Sequence, residues 1–281
     1  MIRFGTAIAL IAAALGLVSC TFQPGVSFGT LSSATLSTRF QPAASRLDAE
    51  GRVKTDGGYR IRIDSLRLTA RQLDFQSTTG GSGTTGGGGS FDPANPPPGY
   101  SLCHGGHCHR ADGALVSYED IQTELSGGGA TTRTVLSLPV ETPFNLLTGA
   151  ATASLTDCEP GCQLARGTWS QAVLQLTSLT ASGSVEDPSA FNRLGGQTRT
   201  WSLTLTPEAF SQKVDVTLDR DRGDRVGVAA TFALSEKLWD EIDFKTLAAT
   251  PGTLVLDQDA ASRQQLNENL SQSLFTVTVT Q

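Results

Sequence analysis

The sequence GYRIRIDSLRL, residues 58–68, shows the clearest periodicity in the chain, and its period is two. Apolar residues occupy the odd positions up to Ile63 and the even positions from Leu66 onward, with charged residues between them. This alternation is typical of a strand that has one buried and one solvated face. Because a slip of one position exchanges the two faces, the pattern predicts a turn or a β-bulge at Asp64 and Ser65.

The same alternation recurs in four later segments, residues 201–205, 214–218, 226–234 and 275–279. Half-buried strands of this kind are typical of antiparallel sheets, and a chain of 281 residues can bury a sizeable core. We therefore predict an all-β fold: an antiparallel β-sandwich with a few short helices and one long Gly/Pro-rich insertion.

Helices and turns are predicted from local signals. Ser117, Ser235 and Asp259 each precede a short segment with helical spacing of its apolar residues, which predicts three short capped helices. The sequence DRDRGDR, residues 219–225, places a glycine among charged residues between two strand patterns. It predicts a hairpin.

The insertion covers residues 76–131, between two predicted strands. Its first part, residues 76–99, is rich in Gly, Ser and Pro, which favours a flexible or extended chain. Its middle contains SLCHGGHCHRADG, residues 101–113, with two of the five cysteines and all three histidines of the chain. A long connection with a chemically dense middle is typical of a functional loop.

The N-terminus has the pattern of an export signal. Arg3 precedes an uncharged apolar run, Phe4 to Val18, which is shorter than the roughly 20 residues of a membrane-spanning helix. The next two residues complete Leu17-Val18-Ser19-Cys20, which resembles the lipobox of bacterial lipoproteins. The resemblance implies that residues 1–19 are a signal peptide and that Cys20 is acylated.

The lipobox also implies where the protein resides. The mature domain, residues 20–281, would be attached to a membrane through an N-terminal lipid anchor. Thr21 follows the cysteine where an aspartate would imply inner-membrane retention, so the analogy with enterobacterial lipoproteins implies the outer membrane of a Gram-negative cell envelope. The alternative is an ordinary secreted protein in which Cys20 is a structural thiol.

Charge and motif content exclude several functions. The chain has 21 basic and 27 acidic residues, a formal net charge of -6, and no basic cluster, so we expect no nucleic-acid partner. The chain has no P-loop motif, and its literal matches to G-x-S-x-G (residues 25–29) and G-x-G-x-x-G (residues 81–86) lack the strand-turn-helix pattern that those motifs require. Every histidine lies in one loop. We therefore predict a binding protein with no catalytic residues rather than an enzyme.

The Cys/His loop supplies five candidate metal ligands in seven residues: Cys103, His104, His107, Cys108 and His109. Imidazole nitrogen and thiolate sulfur are the donors that zinc and copper prefer. The loop therefore predicts a transition-metal site, for copper or zinc, that serves sensing, delivery or sequestration. A periplasmic protein partner is compatible with these roles, but the sequence does not identify one.

Glycines and strand geometry bring the imidazoles together in this prediction. Gly105 and Gly106 allow the chain to reverse, so that His104 and His107 face the same point. In an extended conformation, His107 and His109 lie on the same side of the chain.

The cysteines also have a structural interpretation. With Cys20 acylated, four cysteines remain, namely Cys103, Cys108, Cys158 and Cys162. An even number in an exported protein predicts two disulfides, with three possible pairings. We favour Cys103 with Cys108 and Cys158 with Cys162, because the Pro-Gly turn within CEPGC can bring its ends together. Crossed pairs stay open as an alternative.

Disulfide formation removes the thiolates and leaves three imidazoles as ligands. The alternative function is a non-catalytic envelope or surface scaffold whose disulfides only close loops.

A third hypothesis comes from a resemblance: Cys103-x4-Cys108-His109 resembles an expanded form of the C-x-x-C-H motif of c-type cytochromes. It implies covalent haem with His109 as the proximal ligand.

A second family resemblance concerns the strands and the tryptophans. The chain is similar to MbnP-like copper-binding lipoproteins in its early GYRIRIDSLRL segment and its late IDFKTL segment, residues 242–247. In that family copper is bound by histidines together with an oxidised tryptophan, which draws attention to Trp169, Trp201 and Trp239. The histidines here are packed into one loop, which departs from the family pattern, and burial in the core is the alternative role of each tryptophan.

Overall fold

The structure is a computed structural model that describes residues 29–79, 91–110, 115–125, 131–140, 143–155, 162–164, 167–218, 225–248 and 252–281. The predicted signal peptide, the lipidation site Cys20 and the disulfide candidate Cys158 lie outside these residues.

The described strands follow one another along the chain and are numbered in that order. They are β1 (Gly29–Phe40), β2 (Val53–Lys54), β3 (Arg60–Thr79), β4 (Tyr100–His104), β5 (His107–Arg110), β6 (Leu115–Ser117), β7 (Thr131–Pro139), β8 (Phe144–Asn145), β9 (Ala151–Ser154), β10 (Cys162–Leu164), β11 (Gly167–Glu186), β12 (Arg199–Leu205), β13 (Phe210–Leu218), β14 (Arg225–Leu234), β15 (Thr253–Val255) and β16 (Leu274–Thr280). The described α-helices are α1 (Tyr118–Leu125) and α2 (Ala260–Ser271), and a single 3-10 turn covers Ala44–Arg46. Neither α-helix is long and apolar enough to cross a membrane.

Two sheets form the body of the fold. In the eight-stranded sheet, the 20-residue strands β3 and β11 pair antiparallel at the centre. Strands β2, β7 and β8 pair with β3, strands β12 and β13 pair with β11, and β15 pairs in parallel with β12. In the five-stranded sheet, β1 pairs antiparallel with β9 and β10 and in parallel with β14, and β16 completes the order.

One continuous apolar core joins the two sheets. Phe210 of β13 and Phe232 of β14 meet across the sheets with ring centroids 5.0 Å apart. Along β11 buried residues alternate with less buried ones over most of its length, which is the pattern expected for a strand that covers a core on one face. The described residues thus form an all-β, sandwich-like fold, as the sequence predicts.

The face change within residues 58–68 is a β-bulge. Ser65 pairs with Ser182 and Ile63 pairs with Gly183, so Asp64 is an extra residue on β3. The bulge lets both apolar series of the segment face the core, and it confirms the prediction from the sequence.

Two of the three predicted helices are present. Helix α1 begins directly after Ser117, and α2 is capped by Asp259, whose carboxylate accepts a hydrogen bond from the Ser262 backbone N–H at 2.8 Å. The prediction after Ser235 is wrong, because that segment forms consecutive turns. Glu241 has a positive φ of 63°, which ends any helical continuation.

The predicted hairpin at residues 219–225 is also wrong. Strand β13 pairs with β11 in the larger sheet, whereas β14 pairs with β1 and β16 in the smaller one. The connection therefore passes from one sheet to the other, and residues 219–224 themselves lie outside the described ones.

Strands β3 and β7 pair from Gln72 to Thr79, and Thr79 lies opposite Thr131. Strand β3 therefore continues three residues beyond position 76, where the sequence predicts the insertion to begin. Between these two strands, the described residues form the three-stranded sheet β4-β5-β6 and helix α1. This unit has a small apolar core separate from the main one.

Candidate metal centre

A tight hairpin presents the histidines. Strands β4 and β5 are joined by Gly105 and Gly106, whose φ angles are +59° and +88°. Positive φ at both central residues is the signature of the type I′ turn, which glycine adopts without steric cost. The turn makes His104 and His107 direct cross-strand partners, as the spacing in the sequence predicts.

A β-bulge in β4 sets the remaining register. Ser101 pairs with His109 and His104 pairs with His107, so Leu102 and Cys103 both lie opposite Cys108. Leu102 has a positive φ of 44° and is 72 % exposed. The sequence pattern does not reveal this bulge, because Leu102 lacks the glycine or asparagine that normally marks such a conformation.

The histidine and cysteine side chains lie on opposite faces of the hairpin. His107 and His109 are two residues apart on β5, so they share a face, and His104 joins them as the partner of His107. Cys108 projects to the opposite face and is fully buried. There it packs with Val116 and Ile121 in the small core.

The three imidazoles converge. One ring nitrogen from each of His104, His107 and His109 lies within 4.8 Å of the others, and the Nε2 atoms of His104 and His109 are 3.4 Å apart. Two nitrogens bound to one tetrahedral zinc at 2.0–2.1 Å lie about 3.4 Å from each other. The His104 to His109 separation already matches that spacing, and a small movement of His107 would complete a three-nitrogen site.

One of these nitrogens lacks a hydrogen-bond partner. Nε2 of His107 is buried, and no hydrogen bond to it is present among the described residues. A buried polar atom left unpaired costs about 1–3 kcal/mol, so such atoms normally have a partner. A metal ion above the histidine face would supply one.

The sulfur atoms of the loop are not metal ligands in this structure, because they are bonded to each other. Cys103 and Cys108 form a disulfide, which is the pairing that the sequence favours for this loop. Neither sulfur is therefore a thiolate, and the cluster of nitrogen donors consists of the three histidines alone among the described residues. Covalent haem attachment would need both of these sulfur atoms for thioether bonds.

The second predicted disulfide is not described. Cys162 begins β10, and Cys158, its predicted partner, lies outside the described residues. Cys20, the predicted lipidation site, lies outside them as well.

Contacts from the rest of the insertion hold the hairpin in place. The backbone N–H of Tyr118, the first residue of α1, donates to the carbonyl oxygen of Gly106 at 3.0 Å. The Tyr118 ring packs on Phe91 with centroids 5.1 Å apart, and Gln122 accepts a hydrogen bond from the Phe91 backbone N–H. The sequence predicts the helix that begins after Ser117, but it does not predict these contacts.

The tryptophans belong to the main core, not to the histidine cluster. Trp169, Trp201 and Trp239 are each at most 2 % exposed, and the rings of Trp201 and Trp239 pack 5.6 Å apart. They are core residues of the sandwich, whereas the histidines belong to the insertion with its separate small core.

Comparisons of the chain with protein-family models, with curated proteins and with solved structures found no match.

Proposed function

We propose that this protein binds one copper or zinc ion through the imidazoles of His104, His107 and His109, as an exported lipoprotein of the bacterial cell envelope. The observation that carries the proposal is the convergence of three ring nitrogens within 4.8 Å. All three histidines of the chain converge on one face of the hairpin, and binding of one common metal ion explains this arrangement.

The donor set favours copper or zinc over other metals. Imidazole is a borderline donor that suits both ions, whereas magnesium and calcium prefer oxygen ligands. Within the described residues, no Asp or Glu joins the histidine group. Three protein nitrogens is also the number of ligands found in zinc sites that leave a fourth coordination position for water or another molecule.

The disulfide supports an extracytoplasmic location. The bond between Cys103 and Cys108 is typical of an oxidising compartment, which agrees with the predicted signal peptide and with the resemblance to a lipobox at Cys20. In that compartment the thiolates are absent, and the imidazoles remain as ligands. His104 is exposed, so an ion can enter and leave from solvent, which fits sensing, delivery or sequestration better than a purely structural role.

Metal analysis of the mature chain, residues 20–281, purified from an oxidising compartment tests the proposal. We expect about one copper or zinc per chain, and loss of that metal when His104, His107 and His109 are all replaced by alanine. A Ser101→Ala variant is the control, because it changes an exposed residue of the same hairpin. Metal retained by the triple variant would contradict the proposal.

The lipid anchor is tested separately. We expect Cys20→Ala to move the protein from the membrane fraction to the soluble fraction without changing its metal content. The two assays are independent, so an unanchored protein that still binds metal would refute only the envelope part of the proposal.

A non-catalytic envelope scaffold is the second candidate function. It is favoured by the small core, in which Cys108, Val116 and Ile121 are buried without an ion, and by the disulfide that closes the hairpin. This candidate predicts a metal-free protein whose stability is unchanged in the triple histidine variant.

A further inference from the structure

We infer that an ion held by the three histidines keeps a coordination position open toward solvent, and that this position takes a single donor atom from a small anion or a nitrogen heterocycle. The inference rests on the proposed function, and it adds the kind of molecule that the loaded site recognises.

The geometry of the hairpin places all three donors on one side of the ion. His104, His107 and His109 project from the same face of the β4-β5 hairpin, which forms two strands of the three-stranded sheet. An ion bound to all three sits above that face, with the sheet beneath it. The disulfide and the small core occupy the opposite face, so none of the described residues reaches the ion from below.

Among the described residues, the neighbours on the histidine face offer no strong fourth ligand. Leu115 of β6 is the cross-strand partner of His109 and has no donor atom. Ser101 lies on the other side of His109, and its hydroxyl donates to the His109 carbonyl oxygen at 3.5 Å. Within the described residues, no other His, Cys, Asp or Glu belongs to the cluster.

The approach to the ion is open on the side of the turn. His104 is exposed, and Leu102, two residues before it, is 72 % exposed. A three-nitrogen site of this kind holds water in its remaining position when nothing else is bound. An incoming donor displaces that water, and the charge of the ion favours an anion or a neutral imidazole-like nitrogen.

Azide is a suitable probe, because its binding to Cu(II) produces a charge-transfer absorption that neither component shows alone. The mature chain is loaded with Cu(II), freed of excess copper by desalting, and titrated with azide. We expect a saturable charge-transfer band that corresponds to one azide per copper, and competition by imidazole. Retained copper with no such band at any azide concentration would overturn the inference and leave the proposed function standing.

Absence of copper after desalting would instead refute the proposed function, so the two failures are distinguishable. Two alternatives are tested in the same preparation. Sedimentation before azide addition should show a monomer with one copper, whereas a dimer that shares one copper would mean that a second copy fills the position and would overturn the inference. Asp112 follows His109 by three positions and lies outside the described residues, so an Asp112→Asn variant tests whether its carboxylate is a fourth ligand. We expect the same azide titration as for the unmodified chain. A band that appears only in this variant would mean that the protein itself closes the site, and it would overturn the inference.

Discussion

The Nε2 atoms of His104 and His109 lie 3.4 Å apart, although the residues belong to different strands of the hairpin and are not direct cross-strand partners. The distance results from two local features, the Gly105-Gly106 turn and the bulge at Leu102. Together they shift the strands so that two imidazoles meet over one point.

The first prediction concerns the single histidines. We expect His104→Ala, His107→Ala and His109→Ala each to weaken Zn(II) binding by at least about tenfold, since loss of even an outer-shell partner of a metal ligand costs about 10- to 100-fold. Isothermal titration calorimetry measures the effect. Leu102→Ala is the matched control, because it truncates an exposed side chain of the same hairpin without removing a donor. A histidine whose removal leaves the affinity unchanged is not a ligand.

The disulfide is predicted to preorganise the site. It joins the two strands that carry the histidines. In the chain-entropy model, closing so short a loop lowers the conformational entropy of the unfolded chain and so stabilises the hairpin by about 2 kcal/mol. We expect the Cys103→Ala/Cys108→Ala double variant to bind Zn(II) more weakly and to exchange the amide hydrogens of residues 100–117 faster. Both sulfurs lie on the face away from the imidazoles, so loss of a metal ligand is not the cause. Unchanged affinity would contradict this prediction, because it would show that the histidines converge on the ion without the bond.

The turn glycines give a sharper test of geometry. A Cβ on Gly106 meets no atom within 4 Å, so Gly106→Val acts only through the backbone, whose φ of +88° disfavours a β-branched residue by about 1–2 kcal/mol. We expect reduced metal affinity in this variant. Gly105→Asn is the control, because asparagine is common at the first central position of a type I′ turn. Equal losses in both variants would argue against the type I′ geometry.

Much of the fold follows from local patterns. Alternation around Asp64 predicts both a strand and its bulge, because a one-residue slip leaves a visible change of parity in the sequence. Gly105 and Gly106 likewise predict a reversal of the chain, since few other residues adopt two successive positive φ angles. The convergence of the histidines is then a consequence of strand geometry.

Features that depend on contacts between distant residues leave no local pattern in the sequence. The parallel pairing of β1 with β14 joins residues nearly 200 positions apart, and either strand alone has the alternation of an antiparallel one. The segment after Ser235 has helical spacing, but the buried carboxylate of Asp240 binds the Arg46 guanidinium at 2.5 Å, and Glu241 turns the chain. Tertiary contacts override local propensity at that point.

The next prediction uses the ion pair between Asp187 and Arg193. The Asp187 side chain is 1 % exposed, and the Arg193 guanidinium, which donates to it at 2.9 Å, holds the pKa of this carboxyl well below its usual range. The same guanidinium lies 4.0 Å above the Tyr59 ring, so the pair joins the 187–193 loop to the start of β3.

A carboxyl with a lowered pKa in the folded state adds stability above its unfolded pKa, about 3.9, and this contribution disappears as the pH falls through the lower folded value. We expect Asp187→Asn to reduce the free energy of unfolding in urea by about 2 kcal/mol at neutral pH, and the difference to shrink below pH of about 4. Asp64→Asn is the control, because the ion pair between Asp64 and Arg62 is exposed and such pairs contribute about 0–1 kcal/mol. A difference that stays constant with pH would show that the Asp187 charge is not the cause.

The last prediction concerns the glycine opposite the β3 bulge. Gly183 pairs with Ile63, the residue directly before Asp64, and a Cβ built on Gly183 would lie 1.9 Å from the carbonyl oxygen of Arg62. Backbone atoms of the two central strands cannot move apart without breaking their pairing. We therefore expect Gly183→Ala to destabilise the fold by about 3 kcal/mol or more, or to prevent folding. Gly227→Ala is the matched control, because its Cβ would meet the hydroxyl of Thr280 at 2.7 Å, and that side chain can rotate away. Similar free energies of unfolding for the two alanine variants would mean that the close approach at the bulge does not exist in solution.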